Sequence, residues 1–233
     1  MLTALLPMPV FRLIDDLIFP ATDLAEPDGL LAIGGDLSPE RLLMAYTNGI
    51  FPWYAEGEPL LWWSPAPRLV LFPEEFHLPR SLRRTINKKK FTVTADTAFA
   101  EVIASCSQAG HRDVEGTWIT AAMQQAYIRL HELGFAHSIE CWHEDTLAGG
   151  LYGVCIDSFF FGESMFTTIT DASKVALATL ANSANAFNIA IIDCQMTTEH
   201  LVRFGAREIS REQFQEQLEM QIDACKPQKK WRL

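Results

Sequence analysis

Two residues with a single residue between them, Asp193 and Gln195, close the run IAIIDCQ. The run is apolar and β-branched, the pattern of a strand buried on both faces. Side chains alternate along a strand, so Asp193 and Gln195 share one face and Cys194 takes the other. A carboxylate and an amide so placed have two readings. They are a polar pair that ends a strand at a turn, or a pair that orients a reacting group and handles its proton. A second carboxylate, Glu163, stands inside SFFFGESMF. Strict alternation groups Phe159, Phe161, Glu163 and Met165 on one face, and Phe160, Gly162, Ser164 and Phe166 on the other. A glutamate among aromatic rings is costly to bury unless it is paired, so a partner is expected.

Other reactive side chains form no pattern. His131, His137 and His143 recur every six residues but fall near a helix end, in a strand and at a turn. They share no local face, and no metal site is expected. His111 and Glu115 add nothing to them. The five cysteines, Cys106, Cys141, Cys155, Cys194 and Cys225, include no C-x-x-C and no zinc spacing. They read as reduced thiols of a cytosolic protein.

The elements that must hold these residues follow from periodicity and turn signals. Residues 1–75 read as a small irregular N-terminal α/β domain, rich in proline and turns. Its one clear helix has Ser38 as N-cap, Pro39 in the first turn and Asn48-Gly49 as its stop. Residues 76–233 read as the larger domain. Thr120 caps a helix with Met123, Ala126, Tyr127, Leu130 and Leu133 at helical spacing, ending at Gly134. AHSIECW, TLAGGLYGVCI and SFFFGESMF follow, separated by the turns HED and DS, which predicts an antiparallel meander. A helix over about 171–185, the buried strand IAIIDCQ and the amphipathic SREQFQEQLEMQI complete an α+β order. The uncharged run from Val175 to Ile192 contains Asn182, Ser183, Asn185 and Asn188. It reads as a buried helix and strand, not a membrane span.

This order suits acyltransferases of the GNAT type. Those enzymes hold coenzyme A pyrophosphate on a Gly-rich loop opening the helix before the fifth strand. Here that loop reads SMFTTITDASK and has no glycine, which disfavours a CoA donor. An adaptor without catalysis is the other alternative.

The chain has 233 residues and a formal net charge of −10, with 48% hydrophobic and 21% charged residues. That composition excludes disorder and fibres. Averaged over the chain, the acidity argues against a polyanionic partner. The average conceals its distribution. Residues 76–95 hold Arg80, Arg83, Arg84, Lys88, Lys89 and Lys90 and no acid, and Lys226, Lys229, Lys230 and Arg232 close the chain. A helix starting at Arg80 puts Arg80, Arg83, Arg84 and Lys88 on one face. Such a stripe can follow a phosphate backbone.

The segments GGDLSPERLLMAYTNGIFPWY and LWWSPAPR resemble those of the bacterial leucyl/phenylalanyl-tRNA–protein transferases. EGTWIT, AYIRLHELGFAHSIE, GGLYGV, FFGESMF, DASKVAL and IIDCQ continue the likeness, from about Pro27 to Ala206. The resemblance implies a small domain joined to a GNAT-like catalytic domain in a cytoplasmic monomer that uses no metal or CoA. It implies transfer of Leu or Phe, and less well Met, from aminoacyl-tRNA to proteins with N-terminal Arg or Lys, marking them for N-degron degradation. By the same resemblance, Asp193 and Gln195 are the catalytic pair and Glu163 is an active-site acid. Leu151 and Phe160 line the acyl pocket, Leu151 replacing the Met of some members. Tyr46, Trp53 and Trp118 fall where the family binds the 3′ aminoacyl-adenosine, with stacking as the physical warrant. Trp62 and Trp63 read as packing. The resemblance gives the Arg80 stripe a substrate, the tRNA backbone.

Overall fold

The computed structural model describes residues 10–109 and 117–233. His111 and Glu115 lie outside the described residues. Strands β1 (Phe11–Leu13), β2 (Leu30–Gly34), β3 (Phe51–Pro52) and β4 (Leu61–Trp63) form a small sheet in the order β1-β2-β4-β3. Helix α1 (Pro39–Thr47) lies between β2 and β3. The Ser38 side chain accepts from the Arg41 amide, and Pro39 occupies the first turn. Gly49 ends this helix at a φ of +72°, and a Cβ there would meet the Phe214 ring at 2.7 Å. Both conformation and space therefore demand glycine.

The large sheet has seven strands. Their ranges are β5 (Arg68–Leu71), β6 (Thr92–Ala95), β7 (Ala136–His143), β8 (Thr146–Ile156), β9 (Phe159–Thr167), β10 (Ile191–Gln195) and β11 (Arg207–Ile209), in the order β11-β5-β10-β9-β8-β7-β6. Because β5 is one of them, the chain enters this sheet before residue 75. β7, β8 and β9 form the expected meander, with turns at Glu144 (φ +52°) and Asp157 (φ +51°). Among the described residues the helices are α2 (Arg80–Asn87), α3 (Phe99–Gln108), α4 (Ala121–Glu132), α5 (Ala172–Asn182), α6 (Glu199–Val202) and α7 (Arg211–Gln221). Residues α1, α3, α4 and α7 bury on one sheet face share a core with Phe159 and Phe161. Those of α2 and α5 share the opposite core with Leu151 and Phe160. No described helix is long and apolar enough to cross a membrane.

The arrangement is α+β, with the antiparallel front half, helix and parallel strand of a GNAT-like fold. α5 carries the chain from β9 to β10, which pairs parallel to β9 from Ile191↔Phe159 to Asp193↔Phe161. That register ends there, while β9 runs on to Thr167. β9 and β10 thus part at one level, and the last two residues of β10 stand beside the gap.

Strand β9 departs from strict alternation beside the gap. Gly153 pairs with Gly162 but Tyr152 pairs with Ser164, so Glu163 is the extra residue of a bulge. A bulge leaves one residue unpaired and reverses the facing beyond it. Met165 therefore packs with the Phe160 core and Phe166 with the Phe161 core, opposite to the alternation expected.

Candidate active site

The gap between β9 and β10 collects Glu163, Asp193 and Gln195. Asp193 is fully buried and forms a bidentate ion pair with Arg68 of β5. Arg68 Nε donates to Oδ1 (2.9 Å) and Nη2 to Oδ2 (2.7 Å). The guanidinium is flanked by the rings of Phe51 and Phe214, 4.9 and 4.7 Å from their centroids. Cation–π attraction helps to offset its desolvation. Asp193 Oδ1 also accepts from the backbone N–H of Gln195 (2.8 Å). Gln195 has a φ of +60°, and the β10–β5 register shifts between Asp193 and Gln195. A non-glycine residue holds this conformation at a cost, which the carboxylate contact offsets.

Gln195 then turns its side chain to Glu163, with Nε2 donating to Oε1 (3.2 Å). This contact orients the amide and leaves Gln195 Oε1 to accept from another group. Glu163 is 8% exposed, and two tyrosines satisfy it. Tyr46 of α1 donates to Oε1 (2.8 Å), and Tyr127 of α4 to Oε2 (3.0 Å). The two hydroxyls also touch each other. Three contacts among two hydroxyls and one carboxyl take three protons. The tyrosines supply two, so the triangle closes when Glu163 carries the third, with one tyrosine then accepting from Glu163 and donating to the other hydroxyl. Burial pushes the Glu163 carboxyl from its ordinary 4.5 up to about 7. The tyrosine hydrogen bonds oppose this rise, and the charge of Asp193 adds to it. Burial likewise lifts both tyrosines far above their ordinary range.

Two cavities meet at this network. One, of about 330 Å³, has aromatic walls, Phe51, Trp53 and Trp118, and reaches Glu163, Gln195 and Met196. The other, of about 310 Å³, is apolar, with Leu151, Phe160, Leu177 and Leu180 in its wall. It too reaches Glu163, Gln195 and Met196. The structure thus brings together Asp193, Gln195, Glu163, Leu151, Phe160, Trp53, Trp118 and Tyr46. Tyr46 differs from the stacking expectation. Its ring is buried against Phe161 (centroids 5.1 Å apart), so it presents a hydroxyl and not a face. Arg80, Arg83 and Arg84 lie elsewhere, on the exposed side of α2, whose Leu82 is buried, with Lys88 exposed just past its end.

The sequence assigns neither Arg68 nor Tyr127 to the site. Arg68 sits inside LWWSPAPR but lies 125 positions from Asp193, and Tyr127 falls on the apolar periodicity of its helix. The charge demand of a buried Asp193 was the available signal. Of the three histidines, His131 and His137 meet at Asp96, their ring centroids 6.5 Å apart, and His143 lies apart from them. His131 contacts the Ala136 carbonyl, His137 contacts Asp96, and His143 lies edge-on to Phe91.

The family model for leucyl/phenylalanyl-tRNA protein transferase matches residues 70–219, and the model for that family's N-terminal domain matches 35–66. The chain belongs to the leucyl/phenylalanyl-tRNA protein transferase family. Family membership makes it an aminoacyltransferase. Among curated proteins of that name, the one from Syntrophobacter fumaroxidans is 59% identical over 207 residues, covering 89% of this chain and 88% of the relative. The one from Stutzerimonas stutzeri is 58% identical over 212 residues (90% and 93%), and that of Anaeromyxobacter dehalogenans strain 2CP-C is 52% identical over 226 (97% and 97%). Solved structures resemble it loosely. A FemX matches with a TM-score of 0.47 at 9% identity, covering 74% of this chain and 66% of that one. A GCN5-related N-acetyltransferase from Kribbella flavida matches at 0.43 and 11%, covering 74% and 61%.

Proposed function

We propose that this enzyme takes Leu or Phe, and less well Met, from aminoacyl-tRNA and joins it to the α-amine of proteins beginning with Arg or Lys. The product is a hydrophobic N-terminus suited to N-degron recognition. The observation that carries this reading is the meeting of an aromatic and an apolar cavity at Glu163 and Gln195. The 3′ adenosine takes the aromatic cleft against Trp53 and Trp118. The amino-acid side chain takes the apolar one, lined by Leu151 and Phe160. The ester then lies across the gap between β9 and β10.

The reaction is aminolysis of an already activated ester. The acceptor nitrogen bonds to the carbonyl carbon, the carbon–oxygen bond to the ribose breaks, and the amine proton ends on the ribose oxygen. Both oxygens of Asp193 already accept hydrogen bonds, which favours a positioning role over that of a free base. Gln195 Oε1 accepts a hydrogen bond from the attacking amine and aims it. Glu163 holds an amino group through its carboxylate, and its protonation near neutrality couples binding to pH. The Arg80, Arg83, Arg84 and Lys88 stripe holds tRNA phosphates. A CoA donor is disfavoured by the segment leading into α5, SMFTTITDASK, which has no glycine to open backbone N–H groups to a pyrophosphate.

Radiolabelled Leu-tRNA and Phe-tRNA, incubated with peptides beginning with Arg, Lys or Ala, test the reading. Label should pass to the Arg and Lys peptides only. No transfer to any peptide, or equal transfer to the Ala peptide, would overturn it.

A further inference from the structure

Residues 222–233 form no helix or strand, yet they are tied down at many points. The Asp157 carboxylate accepts from four consecutive backbone amides, those of Asp223 (2.9 Å), Ala224 (3.0 Å), Cys225 (3.0 Å) and Lys226 (3.4 Å). The Gln228 amide donates to the Gly134 carbonyl (2.8 Å), and a Cβ on Gly134 would strike the Gln228 oxygen at 2.5 Å. The Gln228 side chain reaches the Asp157 carbonyl (2.8 Å) and accepts from the Trp231 indole (2.9 Å). Trp231 is buried between the faces of His137 and Phe187, 4.2 Å from each, and its amide donates to Asp96 (2.7 Å). Between and beyond these anchors, Lys226, Lys229, Lys230 and Arg232 are all exposed. None has a salt bridge with a described residue.

The position of this strap gives those bases a purpose. Trp231 packs in the core of the α2–α5 side of the sheet. Thr85 of α2 bonds Asp171 at the start of α5, whereas Trp231 stacks on Phe187, just past its end. The two basic stretches therefore stand at opposite ends of one helix, which is about 16 Å long. Residues 172–192, which run between them, contain no acid, and their one base, Lys174, is paired with Asp171. In a chain with 29 acidic residues, three acid-free segments come together on one side.

We propose that the strap is a second tRNA-binding site, with Lys229, Lys230 and Arg232 holding backbone phosphates of the same tRNA that α2 grips. This rests on the aminoacyl-tRNA reading above. The catalytic gap is at the α5 N-terminal end of the sheet, where β9 and β10 part. The 3′ end enters there, and the tRNA body runs along α5 toward the strap. An electrostatic site of this kind contributes affinity and salt dependence without sequence reading.

The test replaces Lys229, Lys230 and Arg232 together by Ala in the full chain, keeping Gln228 and Trp231. Two Phe donors are compared, charged tRNA and 3′-phenylalanyl-adenosine, which has no phosphate backbone. The KM for charged tRNA should rise about tenfold or more near 0.15 M salt, and the slope of log KM against log salt should fall by roughly 2 to 3. The KM for the adenosine donor and the thermal midpoint should stay unchanged. An unaltered tRNA KM and salt slope would overturn the proposal, as would an equal loss with both donors. Failure of the wild type with both donors would instead overturn the transferase reading. Trp231→Ala keeps every base but frees the strap, and it should raise the tRNA KM alone. An unchanged tRNA KM in a folded W231A protein would also count against it.

Discussion

Replacing Glu163 by Gln should change the pH dependence of stability in a calculable way. The unfolded carboxyl titrates near 4.5 and the native one near 7. Between those values the native state keeps a proton that the unfolded chain has released. Stability contributed at this site therefore falls as pH rises through the window. Below about 4.5 both states are protonated and there is no penalty. Above 7 both are charged, and the buried carboxylate costs roughly 3 kcal/mol at 1.4 kcal/mol per tenfold. Glutamine mimics the protonated acid and keeps a donor for the tyrosine triangle, so it escapes this cost. Denaturant unfolding of wild type and E163Q across pH 4 to 8 cancels the other titrating groups. E163Q should gain on wild type by roughly 3 kcal/mol over that range, nearly all of it between pH 4.5 and 7. A stability difference that stays flat would refute the reasoning. A difference that moves toward wild type as pH rises would mean the tyrosine hydrogen bonds outweigh burial.

Arg68→Ala leaves Asp193 buried without its counter-ion and should cost about 3–5 kcal/mol in denaturant unfolding. The double variant Arg68→Met, Asp193→Leu should recover most of that stability while transfer stays lost. Gln195→Ala should lower kcat by about 10²–10³ with little change in KM, if its oxygen acts as the attack begins. A loss confined to KM would reduce it to a binding residue. Alanine at Arg80, Arg83, Arg84 and Lys88 together should raise the KM for charged tRNA and reduce its salt slope by roughly 3, with the fold intact by circular dichroism.

The parts legible in the sequence were those governed by local physics. Ser38, Thr120 and the Asn48-Gly49 stop fixed helix ends because capping is settled within four residues. The turns at Glu144-Asp145 and Asp157-Ser158 set the meander, and the β-branched run marked β10. Strand ends and buried charge marked Asp193, Gln195 and Glu163 individually, and the family resemblance joined them into one site. Arg68 could not, since only the β5–β10 pairing brings it to Asp193. Tyr127 was hidden for a different reason, because its ring obeys the core pattern and only its hydroxyl departs from it. The Glu163 bulge leaves no mark in composition or spacing, and it overruled the alternation assigned to Met165 and Phe166.

That bulge separates two properties that a regular strand would tie together. Without it, Glu163 and Met165 would face the same way, and any change in side-chain preference would disturb the acid. With the extra residue, Glu163 turns to the tyrosines and Met165 lines the apolar cavity beside Leu151. If the apolar cavity holds the donor side chain, as proposed above, substitutions at Met165 and Leu151 should change donor preference while the Tyr46–Tyr127–Glu163 triangle stays fixed.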